Sequence, residues 1–256
     1  MIDVNAWLSR WPFRRVPLDQ TPARVRALRR HGVTEAWAGS FDALLHRDLA
    51  AVNALLAEEC RARGDGLPRP FGAVDPRLPD WREDLRRCHE EHRMPGSRLV
   101  PNYHGTTLDD PDFAALWHEA ARRGLVVRLA VRMEDERTQH PLVRVPPVDV
   151  APLVARLPTV PGLRLVLLNA AGSVPGDVLG RLVAAGNVAV EIATLEGISG
   201  VGRLVERVGA GRILFGSLAP LFTPEAAVRK LRESELEPGQ REAITRGNAR
   251  RLLVRT

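Results

Sequence analysis

The chain has 256 residues, of which 45% are hydrophobic and 27% charged, so it has the composition of a soluble globular protein with a large buried core. The formal net charge of +6 raises the question of nucleic-acid binding, but arginines alternate with acidic residues along the helical stretches, as in 81–87, and this pattern favours solvated helix faces over one basic stripe. No apolar run of about 18 residues is present and the N-terminus does not resemble a signal peptide, so we expect no membrane span and a cytoplasmic location.

Short apolar runs alternate with helical patterns along the whole chain, which is typical of a parallel sheet with crossover helices. The predicted strands are 2–4, 35–38, 70–74, 97–100, 125–131, 163–168, 188–192 and 213–215. The predicted helices are 21–31, 44–63, 80–92, 110–123, 148–157, 175–185, 198–208, 224–232 and 238–253. Eight strand–helix units are the number that closes a barrel, so the sequence predicts a (β/α)8 TIM barrel in one domain spanning 1–256.

An open doubly wound sheet is the alternative, since the alternation of strands and helices also fits it. A dinucleotide fold would carry a glycine fingerprint after the first strand, and none is present. At the helix starts, Thr21 is the predicted N-cap of the first helix and Asp110 that of the fourth. Cys60 and Cys88 fall in helical stretches and are predicted to be buried free thiols.

Five short motifs occur in order along the chain. They are Asp-Val-Asn at 3–5, Phe-Gly-Ala-Val-Asp-Pro at 71–76, Gly-Leu-Val-Val at 124–127, Ile-Leu-Phe-Gly-Ser at 213–217 and Asn-Ala-Arg-Arg-Leu-Leu at 248–253. They resemble the opening, the third-strand ending, the fifth-strand entry, the eighth strand and the C-terminal helix of the amidohydrolase-related family. This resemblance implies a (β/α)8 barrel with its active site at the carboxyl ends of the strands.

The metal ligands that the resemblance implies are replaced in this sequence. Asn5 and Trp7 stand where the family has a His-x-His pair, Asn169 where it has a histidine after strand 6, and Leu218 where it has an aspartate after strand 8. Leu129 or Ala130 takes the strand 5 histidine position, and Lys230, the only lysine, lies past strand 8. Catalytic zinc needs about three His, Cys or carboxylate ligands, so no metal ligand and no cofactor is expected, and a divalent metal is disfavoured.

Three residues on loops after strands are the candidate catalytic groups. His104 follows the fourth strand and is the best placed of seven histidines for proton transfer, since the other positions 31, 46, 89, 92 and 118 are predicted to lie on helices. Glu134 and Arg132 follow the fifth strand as a carboxylate base and an anion-binding group, with His140 close behind. The alternatives are a loop histidine without a role and a salt-bridge cluster that fastens a long loop.

The candidate substrate-binding residues lie at the same edge of the barrel. Asn5 and Asn169 should face each other across the mouth, where paired amides can hold a carbonyl or carboxylate, or simply bridge two loops. The other members are Trp7, Asn102, Arg137 and Glu191. Trp7, Trp11 and Phe13 make the first loop aromatic, and packing of this loop is favoured over a roof above a pocket.

The sequence therefore predicts a hydrolase or decarboxylase that acts on a small anionic substrate without the usual divalent metal. The alternative is an inactive barrel of the same family with a binding or regulatory role. The expected partner is a small-molecule substrate, with neither nucleic acid nor membrane. Barrels of this family often pair, so a homodimer is also an expectation.

Overall fold

The computed structural model describes residues 1–254, and these residues form a closed barrel of parallel strands. The strands are Ile2–Leu8 (β1), Glu35–Ser40 (β2), Pro68–Pro70 (β3), Gly72–Ala73 (β4), Gly96–Leu99 (β5), Val126–Ala130 (β6), Arg164–Leu168 (β7), Asn187–Glu191 (β8) and Ile213–Leu214 (β9). Two parallel sheets follow chain order, β1-β2-β3 and β4 to β9. Backbone hydrogen bonds from Val4 to Phe215 and from Trp7 to Ala219 join the last strand to the first. This closure confirms the predicted barrel and excludes the open sheet.

Helices connect successive strands and cover the outside of the barrel. They are Thr21–Arg30 (α1), Leu49–Arg63 (α2), Trp81–Glu90 (α3), Pro101–His104 (α4), Pro111–Arg122 (α5), Leu153–Arg156 (α6), Gly176–Ala185 (α7), Gly200–Val208 (α8), Pro224–Arg232 (α9), Pro238–Glu242 (α10) and Asn248–Leu253 (α11). A single π-helical turn, Ala243–Gly247, joins the last two.

Side-chain alternation along the strands divides the core into two parts. On β6, Val127 and Leu129 join the large cluster packed against the helices, while Val126 belongs to a second cluster with residues such as Val166. Because successive side chains point to opposite faces of a strand, the second cluster fills the barrel interior. Leu252 of α11 also belongs to this second cluster.

Several predicted boundaries are wrong for local reasons. The first helix begins at Thr21 itself, with Gln20 as its N-cap residue, whereas Asp110 does cap α5 by accepting a hydrogen bond from the Asp112 N–H. The third barrel strand is interrupted at Phe71, whose N–H bonds to the Ala38 carbonyl. A short 3-10 turn and a loop precede Leu49, so His46 lies in the loop after β2 and not on a helix.

Two further expectations concern the helices. Cys60 and Cys88 are buried free thiols, as predicted, and burial raises the pKa of each to about 12. Within residues 1–254, none of the helices combines the length and apolar character required to cross a bilayer.

Candidate functional site

The carboxyl ends of the strands bring distant polar side chains into one buried network. Asn5 of β1 donates from Nδ2 to Asn169 Oδ1 at 2.8 Å, and the same amide lies 3.2 Å from Glu191 Oε1 at the end of β8. The predicted meeting of Asn5 and Asn169 across the barrel mouth is therefore present. We call the six residues Asp3, Asn5, Arg98, Asn169, Glu191 and Ser217 the mouth network.

The two carboxylates of the mouth network are completely buried and well supplied with donors. Glu191 Oε1 accepts the Asn169 backbone N–H at 2.5 Å, and its Oε2 accepts the Ala193 N–H. Asp3 accepts both the backbone N–H and the hydroxyl of Ser217. Burial raises the pKa of both carboxyl groups, while these hydrogen bonds act in the opposite direction.

Two buried arginines balance these carboxylates. Arg98 donates to the Asn5 side-chain oxygen at 3.2 Å and to the Ala6 carbonyl at 3.0 Å. Arg128 lies deeper and donates to the carbonyls of Val4 and Trp37, each at 2.8 Å. Desolvation lowers the pKa of Arg98 to about 9 and lowers that of Arg128 well below its usual value.

Glycines make room for the mouth network. A Cβ at Gly39 would lie 2.8 Å from Arg98 Cδ, and a Cβ at Gly216 would lie 2.4 Å from Glu191 Oε2. Side chains at these positions would collide with groups whose hydrogen bonds hold them in place. The two glycines are therefore part of the construction of the barrel mouth.

An aromatic cluster of Trp7, Trp11, Phe13, Phe41 and Tyr103 covers the mouth network. Trp7 stacks on Phe41 with ring centroids 4.8 Å apart, and the Arg98 guanidinium lies 3.9 Å from the centroid of the Trp7 ring. Trp7 and Trp11 are almost fully buried. The aromatic first loop therefore packs over the barrel end.

The loop after β6 carries three of the predicted site residues, and each of them has different interaction partners. Glu134 is buried and forms an ion pair with Arg14 of the first loop. The Arg132 carbonyl accepts a hydrogen bond from Asn169 Nδ2 at 2.6 Å, and the Arg132 guanidinium interacts electrostatically with Asp135. Arg137 is 88% exposed and paired with Asp135. Thus Arg132 is joined to the mouth network through its backbone, whereas Arg137 lies at the surface.

The other two predicted loop residues bind backbone carbonyls. Asn102 donates to the Pro146 carbonyl at 2.8 Å. His104, at the end of α4, makes a 2.8 Å hydrogen bond from Nε2 to the Ala43 carbonyl, and its Nδ1 lies 3.9 Å from Asp75 Oδ2. His140 Nδ1 accepts the Leu142 N–H at 3.2 Å.

A cavity of about 460 Å³ opens beside His104 at the same end of the barrel. We call it the His104 cavity. Its polar lining comes from the loops after β2, β4 and β5, and consists of His46, Arg47, Asp75, Arg77, Tyr103 and His104. A concave space at the carboxyl ends of barrel strands is where enzymes of this architecture place their chemistry.

Sequence reasoning missed Arg98, Arg128 and Asp75. Arg128 stands between apolar neighbours in its strand, and Arg98 precedes the apolar pair Leu-Val at 99–100. These positions are the available signal, because a charge inside a buried strand must either face a buried partner or interrupt the strand. Asp75 was visible as the residue that ends the third strand, but its approach to His104 depends on the folded loops.

Solved structures with the same fold include several decarboxylases. A 2,6-dihydroxybenzoate decarboxylase in complex with 2,6-dihydroxybenzoate is 18% identical, with a TM-score of 0.74 and 99% of each chain covered. A dihydroxybenzoic acid decarboxylase from a Polaromonas species is 16% identical, with a TM-score of 0.74, 98% of this chain and 96% of that chain covered. At these identities the likeness concerns the fold. Comparison with curated proteins found no match to the sequence.

The manganese in related structures corrects the expectation about cofactors. The Polaromonas enzyme holds manganese, as does a 5-carboxyvanillate decarboxylase from Novosphingobium aromaticivorans that is 14% identical, with a TM-score of 0.70, 90% of this chain and 79% of that chain covered. The expectation of no cofactor, with a divalent metal disfavoured, is therefore wrong for this group of barrels.

A divalent metal at the barrel mouth would need suitable ligands among the side chains there. Within residues 1–254, no three His, Cys, Asp or Glu side chains form a group that could hold a metal. Glu191 already accepts from backbone donors, and Arg98 brings a positive charge into the mouth network. These side chains do not fit a three-ligand site. That Asn5, Trp7, Asn169 and Leu218 replace the family's ligands stays a prediction.

The family itself is established by a match over nearly the whole sequence. The amidohydrolase family model covers residues 9–255. This agrees with the resemblance found in the strand ends and with the expectation that leaned toward an enzyme. The barrel with its polar groups gathered at the carboxyl ends of the strands belongs to the amidohydrolase family.

Proposed function

We propose that this chain is an enzyme that hydrolyses or decarboxylates a small anionic substrate in the His104 cavity. The observation that carries the proposal is the cavity itself, which places a histidine and an aspartate beside two arginines at the functional end of the barrel. The solved decarboxylases are named for aromatic carboxylates, 2,6-dihydroxybenzoate and dihydroxybenzoic acid. This supports a carboxylate substrate and makes decarboxylation the first reaction to test.

In this proposal His104 is the proton-transfer group. Its Nε2 is held by the Ala43 carbonyl, which leaves Nδ1 for chemistry in the cavity. Glu134 and Arg132 remain proposed members of the site. Tyr103, which lines the cavity, experiences the charge of Glu134, and burial together with this charge raises the pKa of the Tyr103 hydroxyl.

The mouth network supports the site as a rigid base. The side chains of Asn5, Asn169 and Glu191 are hydrogen-bonded to one another. They can therefore contact a substrate only through donor or acceptor positions that these bonds leave open. Trp7, Asn102 and Arg137 also stay proposed binding residues. We further propose that residues 1–256 act as one domain and pair as a homodimer, which light scattering on the purified protein would show as twice the chain mass.

A turnover screen tests the function. The protein would be prepared with manganese supplied, because structures of the same fold hold this metal. Carbon dioxide release from a panel of hydroxylated benzoates and hydrolysis of anionic amides and esters would be measured. The proposal expects turnover of at least one carboxylate that follows saturation kinetics. Absence of turnover across both panels would favour the inactive binding barrel.

A further inference from the structure

We propose that Arg47 and Arg77 bind the substrate carboxylate in the His104 cavity, and that Asp75 positions and balances the charge of His104 during proton transfer. This inference rests on the proposed function and deepens it, because it assigns to three residues roles that neither the sequence nor the family match supplies. It is carried by the directions of the hydrogen bonds around His104 and by the charges that line the cavity.

Only one nitrogen of His104 is available to transfer a proton, because the other is bonded to a backbone carbonyl. The Ala43 carbonyl only accepts hydrogen bonds, so the Nε2 atom at 2.8 Å from it carries a hydrogen in both the neutral and the charged imidazole. Nδ1 is therefore the nitrogen that gains and loses the proton. The side chain of His104 is 9% exposed, so its ring is held in place by the surrounding protein.

The Asp75 carboxylate faces His104 Nδ1. Asp75 Oδ1 is occupied by the Arg77 backbone N–H at 3.1 Å, while Oδ2 points toward His104 Nδ1 at 3.9 Å. This distance is too long for a hydrogen bond. When Nδ1 is protonated, the two groups are an imidazolium and a carboxylate, whose charges attract. When Nδ1 is neutral, both atoms are acceptors, and a donor on the substrate fits between them.

Arginines outnumber carboxylates in the lining of the His104 cavity. Among residues 1–254, Asp75 is the one carboxylate that lines it, against Arg47 and Arg77. Arg77 is anchored by one hydrogen bond to the Gly105 carbonyl at 2.6 Å, which leaves its other N–H groups for a ligand. In the part of the chain that the structure describes, the Arg47 side chain has no hydrogen-bond or ion-pair partner. Two guanidinium groups suit the two oxygens of a carboxylate.

These positions define a balanced step for decarboxylation. The arginines hold the carboxylate at the rim, and the carbon–carbon bond to it breaks with its electron pair remaining on the substrate carbon. The proton on His104 Nδ1 moves to that carbon as carbon dioxide leaves. Asp75 stabilises the imidazolium before the transfer, and the neutral imidazole then takes a proton from solvent. Asp75 is a positioning residue in this step, because it acts through His104.

Binding of benzoate, compared with its neutral isostere benzamide, tests the assignment without turnover. Arg47→Gln and Arg77→Gln should each weaken benzoate binding roughly three- to tenfold and leave benzamide binding unchanged. Arg181→Gln, on the exposed surface of α7, is the matched control and should change neither. Asp75→Asn should tighten benzoate binding, because it removes the negative charge beside the anion; a merely structural loss at this position would weaken it.

Turnover adds a second readout for Asp75. With the substrate found in the screen, Asp75→Asn should lower kcat without raising KM, and Asp75→Glu should recover part of kcat. Arg47→Gln should chiefly raise KM. Unchanged benzoate binding in both arginine variants, weaker binding in Asp75→Asn, or no saturable binding to the wild-type protein up to about 10 mM benzoate would overturn the inference.

The two proposals fail separately. A protein that binds benzoate through Arg47 and Arg77 but turns over no substrate would keep the carboxylate site and reject the enzymatic function. A protein that turns over a carboxylate with kinetics unaffected by Arg47→Gln, Arg77→Gln and Asp75→Asn would keep the function and reject these roles.

Discussion

At the scale of single residues, the barrel mouth is organised by buried charges. Arg98 contacts Asn5 and the Ala6 carbonyl, stacks on Trp7, and feels the charges of Asp3 and Glu191. Removing Arg98 leaves the buried carboxylates with less counter-charge, which costs more than an exposed ion pair contributes. The stability of the mouth network should therefore depend strongly on this one guanidinium.

Arg98→Met tests this dependence. We expect it to lower the free energy of unfolding by about 3–5 kcal/mol, since Asp3 and Glu191 stay buried without the cation. Denaturant unfolding followed by circular dichroism would measure the change. Arg26→Met, on the exposed face of α1, is the control and should stay within about 0.5 kcal/mol of the wild type. Equal stability of the Arg98 and Arg26 variants would show that the network contributes little.

Only some of the residues of the candidate site could be predicted from the sequence. His104, Asn5 and Asn169 could be found because they follow strands, and the carboxyl ends of barrel strands converge. The partner of His104 could not be predicted, because the 3.9 Å distance from Asp75 Oδ2 to His104 Nδ1 depends on how two loops fold. Arg98 and Arg128 have no role in the sequence analysis, although a charge within a predicted strand is a signal for a buried partner.

At the scale of elements, close packing at strand ends is secured by small residues. Gly216 follows β9, where Glu191 Oε2 occupies the space that a Cβ would need. Both oxygens of Glu191 are held by donors, so the carboxylate has no room to move aside. A side chain at this position must therefore displace the backbone or break a hydrogen bond.

Gly216→Ala is expected to lower the free energy of unfolding by about 1–3 kcal/mol through overpacking. Gly180→Ala in α7 is the matched control, because a Cβ there meets nothing within 4 Å. That variant should be stabilised by about 0.5–1 kcal/mol, as alanine favours a helix over glycine. Thermal or urea unfolding of both variants decides the issue. A Gly216 variant as stable as the Gly180 variant would contradict the packing described.

Periodicity in the sequence identified most elements but not their edges. The strand predicted at 125–131 is observed as Val126–Ala130, because the run is apolar apart from Arg128. The helix predicted at 148–157 is reduced to Leu153–Arg156, because the Val148 N–H bonds to the Val131 carbonyl and ties this segment to the sheet. Such long-range hydrogen bonds override local helical patterns, which is why those boundaries were missed.

At the scale of the whole molecule, the closed barrel shields its two cysteines. Burial raises the pKa of Cys60 and Cys88 to about 12, so the folded state favours the neutral thiols. A thiol whose folded pKa exceeds its unfolded value stabilises the fold below the unfolded pKa, near 9. This contribution is lost as the pH rises from about 9 to about 12.

Thiol labelling makes this shielding measurable. At about pH 8.5 the native protein should react with a thiol reagent only at the rate of opening or unfolding, because the thiolate is the reactive form. The denatured chain should label at both cysteines rapidly. Labelling of the native protein as fast as that of the denatured chain would mean that the helices carrying the thiols are not packed as described.

The measurement that most directly tests the central claim is the effect of His104→Asn on the kcat/KM of the best carboxylate substrate. If His104 transfers the proton in the cavity, kcat/KM should fall by about 10²–10⁴-fold while the fold and stability are retained. His118→Asn, on the exposed face of α5, should leave the value within about twofold. An active enzyme whose kcat/KM is the same in the His104 and His118 variants would contradict the placement of the chemistry at His104.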